Sequence, residues 1–259
     1  MIDFNNAKKA FKTYLSKYDV TNDRIKLKIK HTYKVVDACE FIARDLNLSK
    51  EDIELSKLIG LLHDIGRFKQ LEVYNSFEDE KTIDHADYGV EVLFNEGFIR
   101  EFISDNSYDE IIKKAIQNHN KYAIEEGLNE RELLFSKIIR DGDKLDNFRV
   151  KEVENISTLF DVNEEEFSYE SISDNIFNDF LNHKMILRGD RKTHMDMWIS
   201  YLAFIYDFNF NSGLRYIKEN NYISKIIDRI DYKNNDTKNK MEIIKNTAMD
   251  FINNTLANK

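Results

Sequence analysis

The helical spacing of apolar residues is the feature that most constrains how this chain can fold. Apolar side chains recur every three or four residues along almost its whole length, and no convincing stretch alternates apolar and polar residues as a half-buried strand would. The chain has no proline and only 8 glycines among its 259 residues, so residues that interrupt helices are scarce. We therefore predict an all-α fold, a helical bundle with a C-terminal helical extension.

The predicted helices follow one another through connectors of ordinary length, except in two places. They cover about residues 4–18, 22–46, 52–65, 85–95, 108–118, 130–148, 171–187, 193–207, 212–230 and 238–256. A polar stretch, about 67–82, is long for a connector and is predicted to be a functional loop. An acidic, less periodic stretch, about 152–170, marks the expected boundary between a domain of residues 1–150 and an extension of residues 151–259 packed on it.

The net charge and the cysteine content limit which binding partners and which cellular compartment we expect. The net charge of −9 gives no support to tight binding of a nucleic-acid backbone, which usually needs a basic surface. A single cysteine, Cys39, excludes an internal disulfide framework and fits a reducing compartment. The first residues lack the apolar segment of a signal peptide, and no run is long enough to span a membrane. We expect a cytoplasmic protein without a membrane partner.

Four of the six histidines form an ordered series with two aspartates, and each member falls on or at the end of a predicted helix. The series is His31, His63, Asp64, His85, His119 and Asp143. Adjacent imidazole and carboxylate groups at the apolar end of a helix are costly to bury unless something pairs with both. Histidine and aspartate are ligands of catalytic divalent metals, and helices of a bundle can direct such residues to one point.

The series contains enough ligands for two metal ions. Asp64 is the natural bridge between them, because a carboxylate can bind two cations at once. His31, His63 and Asp143 would complete the ligands of one ion. His85 and His119 would complete those of the other ion. Mixed imidazole and carboxylate ligands suit Mn, Fe, Co, Ni or Zn, and Mg also stays open.

The pattern resembles the HD superfamily of metal-dependent phosphohydrolases, in which a histidine, a His-Asp pair and a distant aspartate lie on helices. The segment 138–147 is similar to the one that carries the last ligand, with Asp143 directly before a basic residue and a leucine. Asp141, two residues earlier, is kept as a reserve ligand. His85 and His119 match the additional histidines of the two-metal branches. The resemblance covers about residues 24–150, and the extension has no comparable motif.

The resemblance implies hydrolysis of a phosphate mono- or diester, most simply of a nucleotide, by metal-activated water. The branch that hydrolyses cyclic di-guanylate has a Gly-Tyr-Pro motif, whereas this chain has no proline. The branch that cleaves alarmones has a Glu-Asp pair where this chain has Arg67 and Phe68. The alternatives are a di-iron oxygenase of the same family, a single-strand nuclease and a regulatory module that binds a nucleotide without turnover.

Three further residues are predicted to act on the substrate. Arg67 could reach a phosphate or be a solvated surface residue. Lys144 could pair with the substrate, as a catalytic residue beside Asp64, or with Asp141. Asn147 could orient a ligand or cap its helix. The expected partner is a small phosphorylated molecule, nucleic acid is disfavoured, and self-association stays open.

The extension carries the two remaining histidines of the chain. His183 and His194 flank a basic run of four residues, Lys184, Arg188, Arg191 and Lys192. This run could bind an anion or a partner, although such runs are more often solvated faces.

Overall fold

The computed structural model describes residues 2–160 and 162–258, and every regular element in those residues is helical. The predicted all-α fold is therefore confirmed. The chain divides into two compact units between Asp146 and Asn147. A domain boundary at residue 150, with an extension packed on the first domain, stays a prediction.

The first unit contains the helices that carry the predicted metal ligands. They are α1 (Phe4–Leu15), α2 (Asp23–Asp45), α3 (Lys50–Leu62), α4 (Ile65–Tyr74), α5 (His85–Val90), α6 (Ile99–Phe102), α7 (Asp109–Asn118) and α8 (Glu130–Val153). Helix α5 continues into a π-helical turn, Glu91–Asn95. The division between the two units falls within α8.

Side chains next to the helix ends explain where several of these helices begin. Asn22 accepts hydrogen bonds from two backbone amides of the first turn of α2. Ser49 accepts one from Asp52 at the start of α3, and Asp84 accepts two at the start of α5. Such caps satisfy amides that have no partner within the helix. The cap at Asp84 places His85 in the first turn of α5.

Two glycines allow three helices of the first unit to approach closely around Cys39. A Cβ atom at Gly60 of α3 would lie 3.3 Å from the Cys39 sulfur. A Cβ atom at Gly142 of α8 would lie 2.6 Å from the same sulfur, closer than non-bonded atoms can be. The buried thiol of Cys39 on α2 therefore occupies the space that side chains at Gly60 and Gly142 would need. Gly142 directly precedes the candidate ligand Asp143.

Helices α4 and α5 are in even closer contact at Gly66. A Cβ atom there would lie 2.4 Å from the carbonyl oxygen of His85 and 2.6 Å from the amide nitrogen of Gly89. Only glycine permits this separation, since any other residue would place a carbon atom against the backbone of α5. The contact holds the start of α5 against the segment that follows Asp64.

The prediction of a loop over residues 67–82 was wrong for its first half. Helix α4 extends to Tyr74, and Ile65, Phe68 and Leu71 form a buried stripe at helical spacing. Polar composition concealed this helix because two of its polar side chains, Arg67 and Gln70, are themselves buried. The rest of the stretch contains only a short 3-10 turn, Asp79–Lys81.

The second unit is built around one long helix and an aromatic core. Its helices are α9 (Ile156–Leu159), α10 (Glu164–Tyr169), α11 (Asp174–Leu181), α12 (His194–Leu202), α13 (Asn211–Glu219), α14 (Tyr222–Asp228) and α15 (Asn235–Ala257). Helix α15 packs against α11, α13 and α14. Trp198 is fully buried against Phe160 and Phe167.

One helix predicted in this unit is two helices in the structure. The predicted span 212–230 is interrupted at Asn221, whose φ of 54° lies in the left-handed region. Asparagine tolerates that region better than most residues do. The spacing of apolar residues continues across Asn221, so the sequence pattern did not indicate the break. None of the helices described is long and apolar enough to cross a membrane.

Candidate metal centre

The structure brings the six predicted metal ligands together within the first unit. His31 lies in α2, and His63 and Asp64 lie at the junction of α3 and α4, where the backbone of Asp64 departs from helical geometry. His85 begins α5, and His119 directly follows α7. Asp143 lies in α8. Three helices, the α3–α4 junction and the end of α7 therefore contribute to one centre.

The two oxygens of Asp64 face two different pairs of imidazoles. Its Oδ2 lies 3.6 Å from His31 Nε2 and 3.5 Å from His63 Nε2. Its Oδ1 lies 3.3 Å from His85 Nε2 and 3.8 Å from His119 Nε2. We call His31, His63 and Asp64 the first group, and Asp64, His85 and His119 the second group. In each group the candidate ligand atoms lie within 4.8 Å of one another.

Asp143 adds a carboxylate to the first group. Its Oδ1 lies 3.0 Å from His31 Nε2 and 3.9 Å from His63 Nε2. Its side chain is 23% exposed, whereas that of Asp64 is 3% exposed, so Asp143 lies towards the open side of the centre. Asp141, the reserve ligand, is fully buried and belongs to neither group.

Two of the imidazoles are oriented by their own helices. His63 Nδ1 lies 2.7 Å from the carbonyl oxygen of Gly60, and His119 Nδ1 lies 2.7 Å from that of Ile116. A carbonyl oxygen can only accept a hydrogen bond, so Nδ1 carries the proton in both rings. The Nε2 atom of each neutral ring then presents a lone pair to the centre.

The other two imidazoles are oriented by carboxylates that the sequence analysis did not identify. His31 Nδ1 lies 2.7 Å from Asp146 Oδ2, and His85 Nδ1 lies 2.7 Å from Asp79 Oδ2. Metal-binding histidines commonly donate their second ring N–H to such a partner, which fixes the ring and increases its basicity. Asp146 is one turn after Asp143 in α8, and this helical spacing was its only signal in the sequence.

The Nε2 atoms of the imidazoles are positioned to bind cations and not to hydrogen-bond with one another. His85 Nε2 and His119 Nε2 lie 3.0 Å apart. Because Nδ1 carries the proton in each ring, this contact places two lone pairs face to face when the rings are neutral. His63 Nε2 is buried and has no hydrogen-bond partner among the described residues. A divalent metal ion would satisfy these nitrogens, so the residues are compatible with metal binding.

Burial and neighbouring charges determine the protonation of the centre. Burial lowers the pKa of His63 to about 4, that of His85 to about 3, and also that of His119. Burial lowers the pKa of His31 as well, but its carboxylate partners outweigh that effect and raise it to about 9. Burial would raise the pKa of Asp64, yet the nearby Lys28 and the imidazoles hold it well below its usual value.

Arg67 occupies a more enclosed position than a substrate-binding arginine at the surface would. Its Nη1 donates hydrogen bonds to Gln70, to the carbonyl oxygen of Phe77 and, at 2.6 Å, to Asp79 Oδ1. Its Nε is buried, has no hydrogen-bond partner among the described residues and lies 3.7 Å from Asp64 Oδ1. The guanidinium thus links the carboxylate that orients His85 to the shared ligand, and a direct substrate contact stays a prediction.

The positions of the remaining predicted site residues say less about their roles. Lys144 is buried in α8 beside Asp143. Asn147 is half-buried and begins the second unit, so its substrate role stays a prediction from the sequence. His194 Nδ1 donates to Glu170 Oε1 at 2.6 Å, and His183 is exposed at a left-handed backbone position. Neither histidine joins a metal-suited group within the described residues.

Replacing Asp79 with asparagine is expected to weaken metal binding by the second group about 10- to 100-fold, because the amide orients His85 less firmly and removes the carboxylate paired with Arg67 Nη1. The first group keeps Asp146 and should bind its ion with unchanged affinity. Calorimetric titration of metal-stripped protein with Mn²⁺ measures both affinities. The exposed neighbour Glu80→Gln is the control, and equal losses in both groups would contradict the role given to Asp79.

Comparison with known proteins identifies a family for the first unit. Residues 29–147, which contain all six candidate ligands, match the family described as HD domain. No curated protein and no solved structure matched the chain. The family is one of metal-dependent hydrolases, and the buried imidazoles and carboxylates are compatible with metal binding. Residues 29–147 of this chain are therefore an HD domain, as the spacing of His31, the His63-Asp64 pair and Asp143 predicted.

Proposed function

We propose that the protein is a metal-dependent phosphohydrolase that cleaves a phosphate mono- or diester of a small molecule, most simply a nucleotide. The observation that carries the proposal is the position of Asp64, whose two oxygens face two separate imidazole pairs. This arrangement suits two divalent ions a few ångströms apart, as used in enzymatic attack of water on phosphorus.

Each ion would have its own protein ligands and a shared carboxylate. His31, His63 and Asp143 would hold one ion together with Asp64, and His85 and His119 would hold the other. Divalent ions bound there would supply Lewis acidity, which makes water a stronger nucleophile near neutral pH and neutralises charge on the phosphoryl group.

The chain's own residues contribute orientation and exclusion of water. His63, Asp64 and His85 are each at most 3% exposed, whereas Asp143 is 23% exposed, so Asp143 is the candidate ligand most accessible to solvent and substrate. Each Nδ1 contact holds a ring in place before substrate arrives, and such prior organisation lowers the cost of reaching the transition state. Arg67 places a further positive charge behind Asp64 Oδ1.

A metal-by-substrate screen tests the proposal. Protein stripped with a chelator would be reloaded separately with Mn²⁺, Fe²⁺, Co²⁺, Ni²⁺, Zn²⁺ and Mg²⁺. Each form would be assayed with p-nitrophenyl phosphate, bis-p-nitrophenyl phosphate, nucleotides, cyclic nucleotides and a single-stranded oligonucleotide. We expect metal-dependent release of phosphate or a phosphomonoester from at least one small ester.

The same screen separates the alternatives. Oxygen consumption by the Fe²⁺ form with small polyols, in the absence of ester hydrolysis, would support the di-iron oxygenase instead. Cleavage restricted to the oligonucleotide would support the nuclease. Nucleotide binding without turnover in every metal form would support a regulatory module. Each of these results would overturn the proposed phosphohydrolase.

A further inference from the structure

Lys28 is a cation at the centre that belongs to neither ligand group. It lies on α2, one turn before His31, and its Nζ donates to Asp64 Oδ2 at 2.7 Å. Its side chain is 20% exposed, close to the 23% of Asp143. The side chain of Lys28 is therefore partly accessible to solvent, while its ammonium group reaches a nearly buried carboxylate.

The Asp64 oxygen that accepts from Lys28 is the one that faces the first group. Asp64 Oδ2 is within 3.6 Å of both His31 Nε2 and His63 Nε2. A divalent ion held by these atoms would be only a few ångströms from an ammonium group still bound to the same oxygen. Repulsion between such charges is substantial even at the effective dielectric constant of about 20 found near protein surfaces. Metal binding and the Lys28–Asp64 ion pair therefore oppose each other.

Lys28 makes a single ion pair in the described part of the chain. Asp64 is its ion-pair partner in the described part of the chain, and the other close group is the ring of Phe77, whose centroid is 5.7 Å from Nζ. By contrast, Arg67 is held by Asp79, and Lys121 is held by Asp84 and Asp87. Lys28 is thus a cation at this centre that would become available to an external anion once Asp64 binds metal.

We propose that Lys28 binds the phosphoryl group of the substrate, and that its ammonium leaves Asp64 for a phosphoryl oxygen when a divalent ion takes Asp64 Oδ2. This inference rests on the proposed phosphohydrolase function and names the residue that recognises its anionic substrate. The four-carbon stem of lysine allows the movement, since its ammonium is a compact charge on a flexible chain. Before metal binding, the ammonium group of Lys28 pairs with Asp64. After metal binding, it contacts the phosphate ester.

The proposal gives Lys28→Met two effects of opposite sign. Mn²⁺ titration of stripped protein should show the first-group affinity rising about fivefold, because the competing charge is gone. Inorganic phosphate, measured by calorimetry and as an inhibitor of the Mn²⁺-loaded protein, should bind about tenfold more weakly, because a charge-assisted hydrogen bond is lost. Lys28→Arg should retain most of the phosphate affinity.

Lys26→Met is the matched control. Lys26 lies on the same helix, pairs with Asp23 and is 57% exposed, so both affinities should equal those of the unaltered protein. If Lys28→Met weakens Mn²⁺ binding, the ion pair is structural and the exchange is disproved. If phosphate affinity is unchanged while the unaltered protein hydrolyses esters, only the assignment of Lys28 fails. If the unaltered Mn²⁺ form neither hydrolyses esters nor binds phosphate, the proposed function fails with it.

Discussion

Replacing Asp64 with alanine is expected to abolish binding of both metal ions and to reduce ester hydrolysis at least about 10³-fold. The physical reason is that one carboxylate supplies an oxygen to each ligand group, so a single substitution removes the anionic ligand that the two groups share. Elemental analysis after dialysis against Mn²⁺ measures the metal content, and circular dichroism verifies that the variant is folded.

The control for Asp64 is an aspartate outside the centre. Asp37→Ala changes an exposed carboxylate of α2 that pairs with Lys34, and it should leave metal content and hydrolysis unaltered. An Asp64→Ala protein that still holds two ions, or that retains full activity, would show that the shared carboxylate is not the bridge.

Replacing Gly66 with alanine is expected to destabilise the protein by about 1–3 kcal/mol, because the added methyl group overpacks a backbone contact. The new carbon would lie 2.4 Å from the carbonyl oxygen of His85, so α4 and α5 must separate. Displacement of His85 should then lower the Mn²⁺ affinity of the second group and reduce hydrolysis about 10²-fold. Urea unfolding and metal titration measure the two effects.

Gly189→Ala provides the comparison for that substitution. A Cβ atom at Gly189 would meet no atom within 4 Å, and the backbone there does not require glycine. Stability and metal binding should match those of the unaltered protein. Unchanged metal affinity in Gly66→Ala would show that α5 can shift without moving the imidazole of His85.

The residues that the structure brings together could be selected from the sequence because each is a histidine or aspartate on or at the end of a predicted helix. The pair His63-Asp64 follows an apolar helix end, and the structure places both side chains at most 3% exposed. The sequence favours Asp143 over Asp141 because Asp143 directly precedes a basic residue and a leucine. The structure adds that Asp143 lies beside His31 and His63, whereas Asp141 belongs to neither group.

The partners of the ligands could not be predicted because they depend on contacts between distant residues. Asp146 is 115 residues from His31, and Lys28 is 36 residues from Asp64. Asp79 is only six residues from His85, but it stands in an acidic, irregular stretch where nothing distinguishes it from Glu78 or Glu80. Contacts with Gln70, Phe77 and Asp79 likewise explain why Arg67, for which a solvated surface position was one expectation, is enclosed by protein.

The Nδ1 contacts show that two of the imidazoles are oriented by their own helical turn and two by tertiary contacts. His63 and His119 are each oriented by a carbonyl three residues earlier, so a single helical turn carries both the ligand and its orientation. His31 and His85 are oriented by carboxylates outside their own helices. A designer who transplants the α3–α4 junction into another helical scaffold would transfer a correctly aimed His63, but would have to rebuild the surroundings of His31 and His85 from residues outside the helices that carry them.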